Sequence, residues 1–140
     1  HFARRVSDWY LHTAVAEPGA PQRGSIAQRY GTHHPALLTV LEKMEATIEN
    51  PLDRNTMAKL ARTSIRHLDR LFADQLGASF LETYRAIRLD HARRLLEQSP
   101  LSIAEVAFAT GFSSAGHFSG SFKAHFGKTP GTVRQRFPAN

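Results

Sequence analysis

The chain lacks cysteine and long apolar runs, and each absence excludes a class of protein. Without cysteine, its 140 residues cannot form disulfide frameworks or thiolate metal sites. No stretch approaches the length of apolar sequence, about 18 residues, that a membrane-spanning helix needs. No apolar segment follows residues 1–5, so a secretory signal is not expected. Because the chain does not begin with methionine, we expect it to be a fragment of a longer protein.

Acidic residues are outnumbered by basic ones. Lys and Arg total 18 against 12 for Asp and Glu, which gives a formal net charge of +6. The excess lies mostly after residue 50, whereas residues 42–49 are acidic. A basic balance suits a polyanionic partner such as nucleic acid. The alternative is a uniformly solvated basic surface that binds nothing in particular.

The first 33 residues divide into a predicted helix and a predicted linker. Apolar side chains recur every three to four positions over residues 1–16, which is typical of a helix with one apolar face. Residues 17–33 contain several prolines and glycines among polar neighbours, and this composition indicates a linker. We expect residues 1–16 to be the tail helix of an upstream domain that this chain does not include.

Residues 36–137 show helical periodicity and no strand alternation, so the sequence predicts an all-α body of about seven helices. Thr32 or His33 is the expected cap of the first of these helices. Leu60, Leu81 and Phe108 are expected to face inward with the other apolar residues of their helices. Five phenylalanines follow helical spacing, so we interpret them as core rather than as platforms for stacked bases: Phe108, Phe112, Phe118, Phe122 and Phe126.

Two segments of this body repeat one pattern about 50 residues apart. The first, residues 53–75, and the second, residues 102–126, each have a short helix with a small alanine, a tight turn, and a second helix that a serine caps. This is the helix-turn-helix pattern. A capped helix over residues 80–98 connects the two units. A plain pair of antiparallel helices is the alternative interpretation of either segment alone.

Residues 101–130, LSIAEVAFATGFSSAGHFSGSFKAHFGKTP, resemble the signature of the AraC/XylS family of bacterial transcription regulators. The resemblance covers about residues 36–137 and implies two homeodomain-like helix-turn-helix subdomains. The leading piece, HFARRVSDWYLH, resembles the end of the amidotransferase-like (PfpI-like) sensor domain of one subgroup of that family.

This resemblance implies sequence-specific binding to double-stranded DNA by a cytoplasmic transcription regulator. It favours an activator that contacts RNA polymerase. A small-molecule effector is expected only through the missing upstream domain.

In the first unit, Arg66, Asp69 and Arg70 match the base-facing positions of the family. Arg66 and Arg70 are four residues apart on one helix face, and either can donate two hydrogen bonds to a guanine. Asp69 can accept a hydrogen bond from the amino group of a cytosine. The alternative is a surface ion pair between Arg66 and Asp69.

The second unit has little with which to read bases. The matching positions are Ala115, Gly116, Ser119 and Gly120, of which the glycines and the alanine carry no hydrogen-bonding side chain. We expect this helix to read little sequence, or to read it through its backbone, Ser119 and a thymine methyl group on Ala115.

Several polar residues are expected to contact DNA phosphates rather than bases. Arg62 occupies a turn position where the family usually has glycine, so that turn is expected to be slightly strained or to add a phosphate contact. The other predicted phosphate contacts are Ser64, His67, Ser114, His117, Lys123, Lys128 and Arg134.

The connecting helix has a length suited to duplex DNA. About 19 residues at about 1.5 Å each span about 28 Å, whereas recognition helices in successive major-groove faces lie about 34 Å apart. One chain can therefore place two units on one side of a duplex. Bending of the DNA would compensate for the difference between the helix length and the spacing of the major-groove faces.

No motif for catalysis or metal binding occurs, so we expect no enzyme activity, cofactor or metal in this chain. The histidines lack metal-ligand spacing, and His33-His34 is interpreted as a solvated helix cap. The spacing around residues 111–116 does not fit a nucleophile elbow. The rival to DNA binding is a helical protein-interaction module whose basic charge is incidental.

Overall fold

The structure is a computed structural model that describes residues 20–134. These residues form eight α-helices and no strand, which confirms the all-α class. The predicted helix over residues 1–16 and the end of the last helix, at Phe137, lie outside the described residues. The helices are α1 Ala20–Tyr30, α2 Pro35–Ala46, α3 Arg54–Leu60, α4 Ile65–Leu71, α5 Phe80–Gln98, α6 Ile103–Ala109, α7 Ala115–Phe126 and α8 Pro130–Arg134.

The structure places α1 inside the predicted linker, which corrects the prediction over residues 20–30. Ile26 of α1 is fully buried. Two ion pairs join α1 to the acidic side of α2: Arg23 with Glu42 at 3.0 Å and Arg29 with Glu45 at 2.9 Å. Of the prolines and glycines that indicated a linker, three lie in the described residues: Pro21 is in the first turn of α1, Gly24 is on its exposed face, and Gly31 follows its last residue. They are therefore compatible with a helix that packing and charge stabilise.

The cap of α2 also differs from the prediction. His34, rather than Thr32 or His33, is the N-cap, and its Nδ1 accepts a hydrogen bond from the backbone N–H of Ala36 at 3.3 Å. Thr32 is buried, and its hydroxyl donates to the side-chain oxygen of Gln75. The expected capping hydroxyl is thus engaged with a residue distant in sequence.

The first helix-turn-helix unit consists of α3 and α4. The carboxylate of Asp53 accepts from the backbone N–H of Thr56 at 2.8 Å and caps α3. That hydrogen bond lowers the pKa of Asp53. Ser64 caps α4 by accepting from the backbone N–H of His67 at 3.1 Å. A π-helical turn, Phe72–Leu76, extends α4 to Gly77.

The second unit, α6 and α7, has the same design. Ser102 and Glu105 form a capping box at the start of α6. The N–H of Phe112 donates to the carbonyl of Ala107 at 3.0 Å, just as the N–H of Thr63 donates to the carbonyl of Ala58 at 3.0 Å in the first unit. The two turns therefore close with the same hydrogen bond to the small alanine of the first helix, as the repeat predicts.

The chain divides into two compact units, each with its own apolar core. In the described residues, one comprises α1 to α4 with the start of α5, and its largest fully buried side chains include Leu37, Met44 and Phe72. The other comprises residues 48–50 and the remainder of the chain from Arg85, and its core centres on Phe118 and Phe122. Each recognition helix is thus held by a core of its own.

Three apolar residues predicted to face inward are exposed: Leu60 by 47%, Leu81 by 63% and Phe108 by 55%. A helix of seven residues buries only one face, and in α6 that face is formed by Val106, Ala107 and Ala109, which leaves Phe108 on the opposite side. The interpretation of Phe108 as core is therefore wrong. Phe112, Phe118 and Phe122 are buried, and Phe126 is half-buried.

Candidate nucleic-acid interface

The exposed face of α4 carries the two arginines predicted to read bases. Leu68 and Leu71 anchor the helix in the core. Arg66 and Arg70 are exposed, and neither forms an ion pair with another residue of the described range 20–134. Because the Ser64 cap fixes the first turn, the two guanidinium groups project from a helix of defined start. This arrangement leaves their N–H donors available for an acceptor outside the chain.

Asp69 lies on the same helix but has a partner from α3. The Nη1 atom of Arg54 lies 3.3 Å from one carboxylate oxygen and 3.4 Å from the other. The two side chains remain 48% and 45% exposed. The ion pair with Arg66 that spacing allowed is therefore replaced by one between helices. The pair borders an open groove of about 490 Å³ that extends to the first turn of α5.

His67, a predicted phosphate contact, is exposed on α4. Its ring centroid lies 6.0 Å from that of His34, in an edge-to-face arrangement. The N-cap residue of α2 thus lies beside the recognition helix of the first unit.

In the second unit, α7 presents small residues at the predicted base-facing positions. Phe118 and Phe122 are fully buried, and Gly116 and Gly120 are exposed. A Cβ added at either glycine meets no atom within 4 Å. Ala115 and Ser119 are half-buried. At these four positions α7 therefore offers backbone and open space rather than long polar side chains.

The predicted phosphate contacts of the second unit differ in exposure. Ser114 caps α7 through the N–H of His117, whose ring lies edge-on to Phe112 at a centroid distance of 5.5 Å. Lys123 and Lys128 are exposed, and neither forms an ion pair within residues 20–134. Arg134 is half-buried, and burial lowers its pKa. The lysines are therefore the more accessible cations.

Two residues of functional interest, Arg54 and Arg88, have no recognisable signal in the sequence. Nothing in the sequence points to Arg54 as a functional residue, although it follows the Asp53 cap directly and so lies at the start of the first helix of the unit. Arg88 of α5 fixes the turn of the second unit through a cation–π contact and backbone hydrogen bonds. Neither contact has a sequence signal, because the two partners lie on different elements.

Two absences can be stated of the part of the chain that the structure describes. No group of three or more His, Asp or Glu side chains there could hold a metal ion. Among these residues no helix has the length and apolar character required to cross a membrane.

Comparison with known proteins identifies the family. The family described as "Helix-turn-helix domain" matches residues 57–136. The crystal structure of a transcriptional regulator with an AraC-type DNA-binding domain, from Chromobacterium violaceum, superimposes on this chain with a TM-score of 0.71. The two sequences are 40% identical, and the aligned region covers 76% of this chain and 96% of that chain. The chain belongs to the AraC-type helix-turn-helix family.

Other relatives of this AraC-type chain are named as transcription regulators. The HTH-type transcriptional regulator GlxA of Rhizobium meliloti (strain 1021) is 70% identical over 135 residues, which are 96% of this chain and 42% of that protein. The DNA-binding domain of AdpA, crystallised with a target DNA, is 31% identical and has a TM-score of 0.69, with 73% of this chain and 92% of that chain covered. The AraC-type chain thus spans less than half the length of the full regulator GlxA.

Proposed function

We propose that this chain binds double-stranded DNA in a sequence-specific manner as the DNA-reading part of a bacterial transcription regulator. The observation that carries the proposal is the repeated helix-turn-helix design, in which the first recognition helix presents two exposed arginines without ion-pair partners in the described range. The similarity to the DNA-binding domain of AdpA, which was crystallised in complex with a target DNA, supports the same activity.

Base reading is concentrated in the first unit. Arg66 and Arg70 of α4 donate pairs of hydrogen bonds to guanine O6 and N7, and Asp69 accepts from a cytosine amino group. In the second unit, Ala115, Gly116, Ser119 and Gly120 allow a close approach of the α7 backbone but supply little discrimination. The open space at both glycines supports this division.

Phosphate contacts position the protein on the duplex. Lys123 and Lys128 supply charge, while Ser64, His67, Ser114, His117 and Arg134 contribute hydrogen bonds near the helix starts and ends. The 19 residues of α5 correspond to about 28 Å of helix. That length supports binding in which the two recognition helices occupy successive major-groove faces of gently bent DNA.

In the full regulator, we infer that the upstream region is a PfpI-like sensor domain that takes a small-molecule effector. The likeness of residues 1–12 to that domain supports this inference. We further infer an activator that acts in the cytoplasm through contact with RNA polymerase. A reporter gene that carries the selected operator tests that role. Its expression is compared between unmodified RNA polymerase and RNA polymerase with mutations in the surface that contacts regulators.

Binding to random duplex DNA at increasing salt tests the proposal against a helical protein-interaction module. Release of counterions from phosphates makes log K fall linearly with log salt, with a slope of about −0.9 for each phosphate neutralised. We expect measurable binding at low salt and a slope that reflects several contacts. Absence of binding to any duplex at low salt would favour the interaction module.

A further inference from the structure

We infer that Arg54 is a specificity-determining residue, which acts by positioning the carboxylate of Asp69 for a cytosine amino group. The inference rests on the proposed function, because it assigns a role within the DNA-reading face of the first unit. Arg54 itself lies on α3, the helix that precedes the recognition helix.

The geometry of the pair supports positioning rather than simple charge compensation. A single nitrogen, Nη1 of Arg54, lies 3.3 and 3.4 Å from the two oxygens of Asp69, so it straddles the carboxylate. Each carboxylate oxygen can accept more than one hydrogen bond. The pair therefore holds the group in one orientation and still leaves lone pairs for a base.

The surroundings of Asp69 make a positioning partner necessary. Arg66 and Arg70 flank Asp69 on α4. Arg66 lies three residues before Asp69, a spacing that favours an ion pair within the helix. The pairing with Arg54 instead directs Asp69 toward α3 and leaves Arg66 and Arg70 without an ion pair in the described range. The ion pair between α3 and α4 thus leaves Arg66 and Arg70 available for guanines and Asp69 available for a cytosine.

Electrostatics gives the pair a second effect. A carboxylate on a surface that meets DNA repels phosphates, and a neighbouring guanidinium neutralises that charge. Both side chains stay about half exposed and border the open groove beside α5, so the carboxylate remains accessible to an incoming base edge. Asp69 can therefore lie at the interface without opposing association.

The test is a binding-site selection with randomised duplexes, run on the unmodified chain, Arg54→Ala, Asp69→Asn and the double variant. We expect Arg54→Ala and Asp69→Asn to weaken preference at the same base pair, by about five- to tenfold, since this corresponds to a hydrogen bond of about 1–1.4 kcal/mol. We expect Arg54→Ala to add no further loss at that base pair in the Asp69→Asn background.

Lys59→Ala is the matched control, because it removes one positive charge from the same helix and Lys59 is exposed. It should weaken all duplexes alike and leave the selected sequence unchanged. The inference is overturned if Arg54→Ala behaves like Lys59→Ala, which would make Arg54 a phosphate contact only. Failure of the unmodified chain to bind any duplex would instead contradict the proposed function, so the two failures are distinguishable.

Discussion

The guanidinium carbon of Arg88 lies 4.5 Å from the ring centroid of Phe112, and Nη1 of Arg88 donates to the carbonyl of Gly111 at 3.0 Å. The same nitrogen reaches the carbonyl of Thr110 at 3.4 Å. One residue of α5 thus contacts three consecutive residues of the turn between α6 and α7. The position at which α7, the second recognition helix, begins depends on the conformation of this turn.

Arg88→Ala is expected to lower the free energy of unfolding by about 2–3 kcal/mol. The change removes a cation–π contact, worth about 0.5–2 kcal/mol, and charge-assisted hydrogen bonds worth about 1.5–3 kcal/mol, which overlap in part. Urea denaturation followed by circular dichroism measures the loss. Arg85→Ala, an exposed arginine of the same helix, is the control and should change stability by less than about 0.5 kcal/mol. Equal effects of both changes would contradict a specific role for Arg88.

The contacts that sequence predicted well are local ones. The caps Asp53, Ser64 and Ser102 are of this kind, because an N-cap bonds within three residues of itself and so leaves its mark in the sequence. The repeat was visible for the same reason, since turn, alanine and serine recur at fixed offsets.

The contacts that sequence missed or misassigned join separate helices. Asp69 has a helical neighbour at a favourable spacing, but Arg54 of α3 is its partner. Likewise, α1 is stabilised by Arg23 and Arg29 pairing with α2, and nothing within residues 17–33 reveals those partners. Contacts between helices therefore decided the outcome at these positions, and such contacts cannot be deduced from spacing within one segment.

The turn of the first unit carries a backbone strain that a single substitution should relieve. Arg62 has φ +57°, and among the described residues other than glycine it is alone in having positive φ. Because an L side chain in this conformation costs about 1–2 kcal/mol, Arg62→Gly should raise the free energy of unfolding by about 1 kcal/mol. The matching position of the second unit is Gly111, at φ +84°.

Thermal and urea denaturation of Arg62→Gly and Gly111→Ala provide the measurement. The second change places a side chain in the same left-handed region and should lower stability by about 1 kcal/mol. Two changes of the same sign would rule out the backbone explanation. If Arg62 also contacts a phosphate, Arg62→Gly reduces the salt slope of DNA binding by about 1.

Arg70 and Lys123 should separate base reading from phosphate binding. Arg70→Ala is expected to cost about 1–3 kcal/mol on the selected site and to flatten preference at one base pair, because a bidentate guanine contact is lost. Lys123→Ala removes an exposed cation of α7 and should weaken all duplexes alike. Site selection and titration with both variants measure these effects, and an unchanged base preference in the Arg70 variant would remove Arg70 from the reading face.

The buried side chain of His91 is expected to make the free energy of unfolding depend on pH. It lies on α5 with 6% of its surface exposed, and burial, together with the charge of Arg94, lowers its pKa from 6.5 to about 4. Between these values the unfolded chain binds a proton at this histidine and the folded chain does not. Stability therefore falls as pH decreases from 6.5 toward 4, by up to about 1.4 kcal/mol per pH unit.

The measurement is the free energy of unfolding in urea at several pH values for the unmodified chain and His91→Leu. The leucine variant has no titrating group at this position, so its stability should depend less steeply on pH over the same interval. Other groups contribute equally to both curves, and their difference isolates His91. If the two curves run parallel from pH 6.5 to 4, His91 is protonated in the folded chain and its burial does not exclude the charged form.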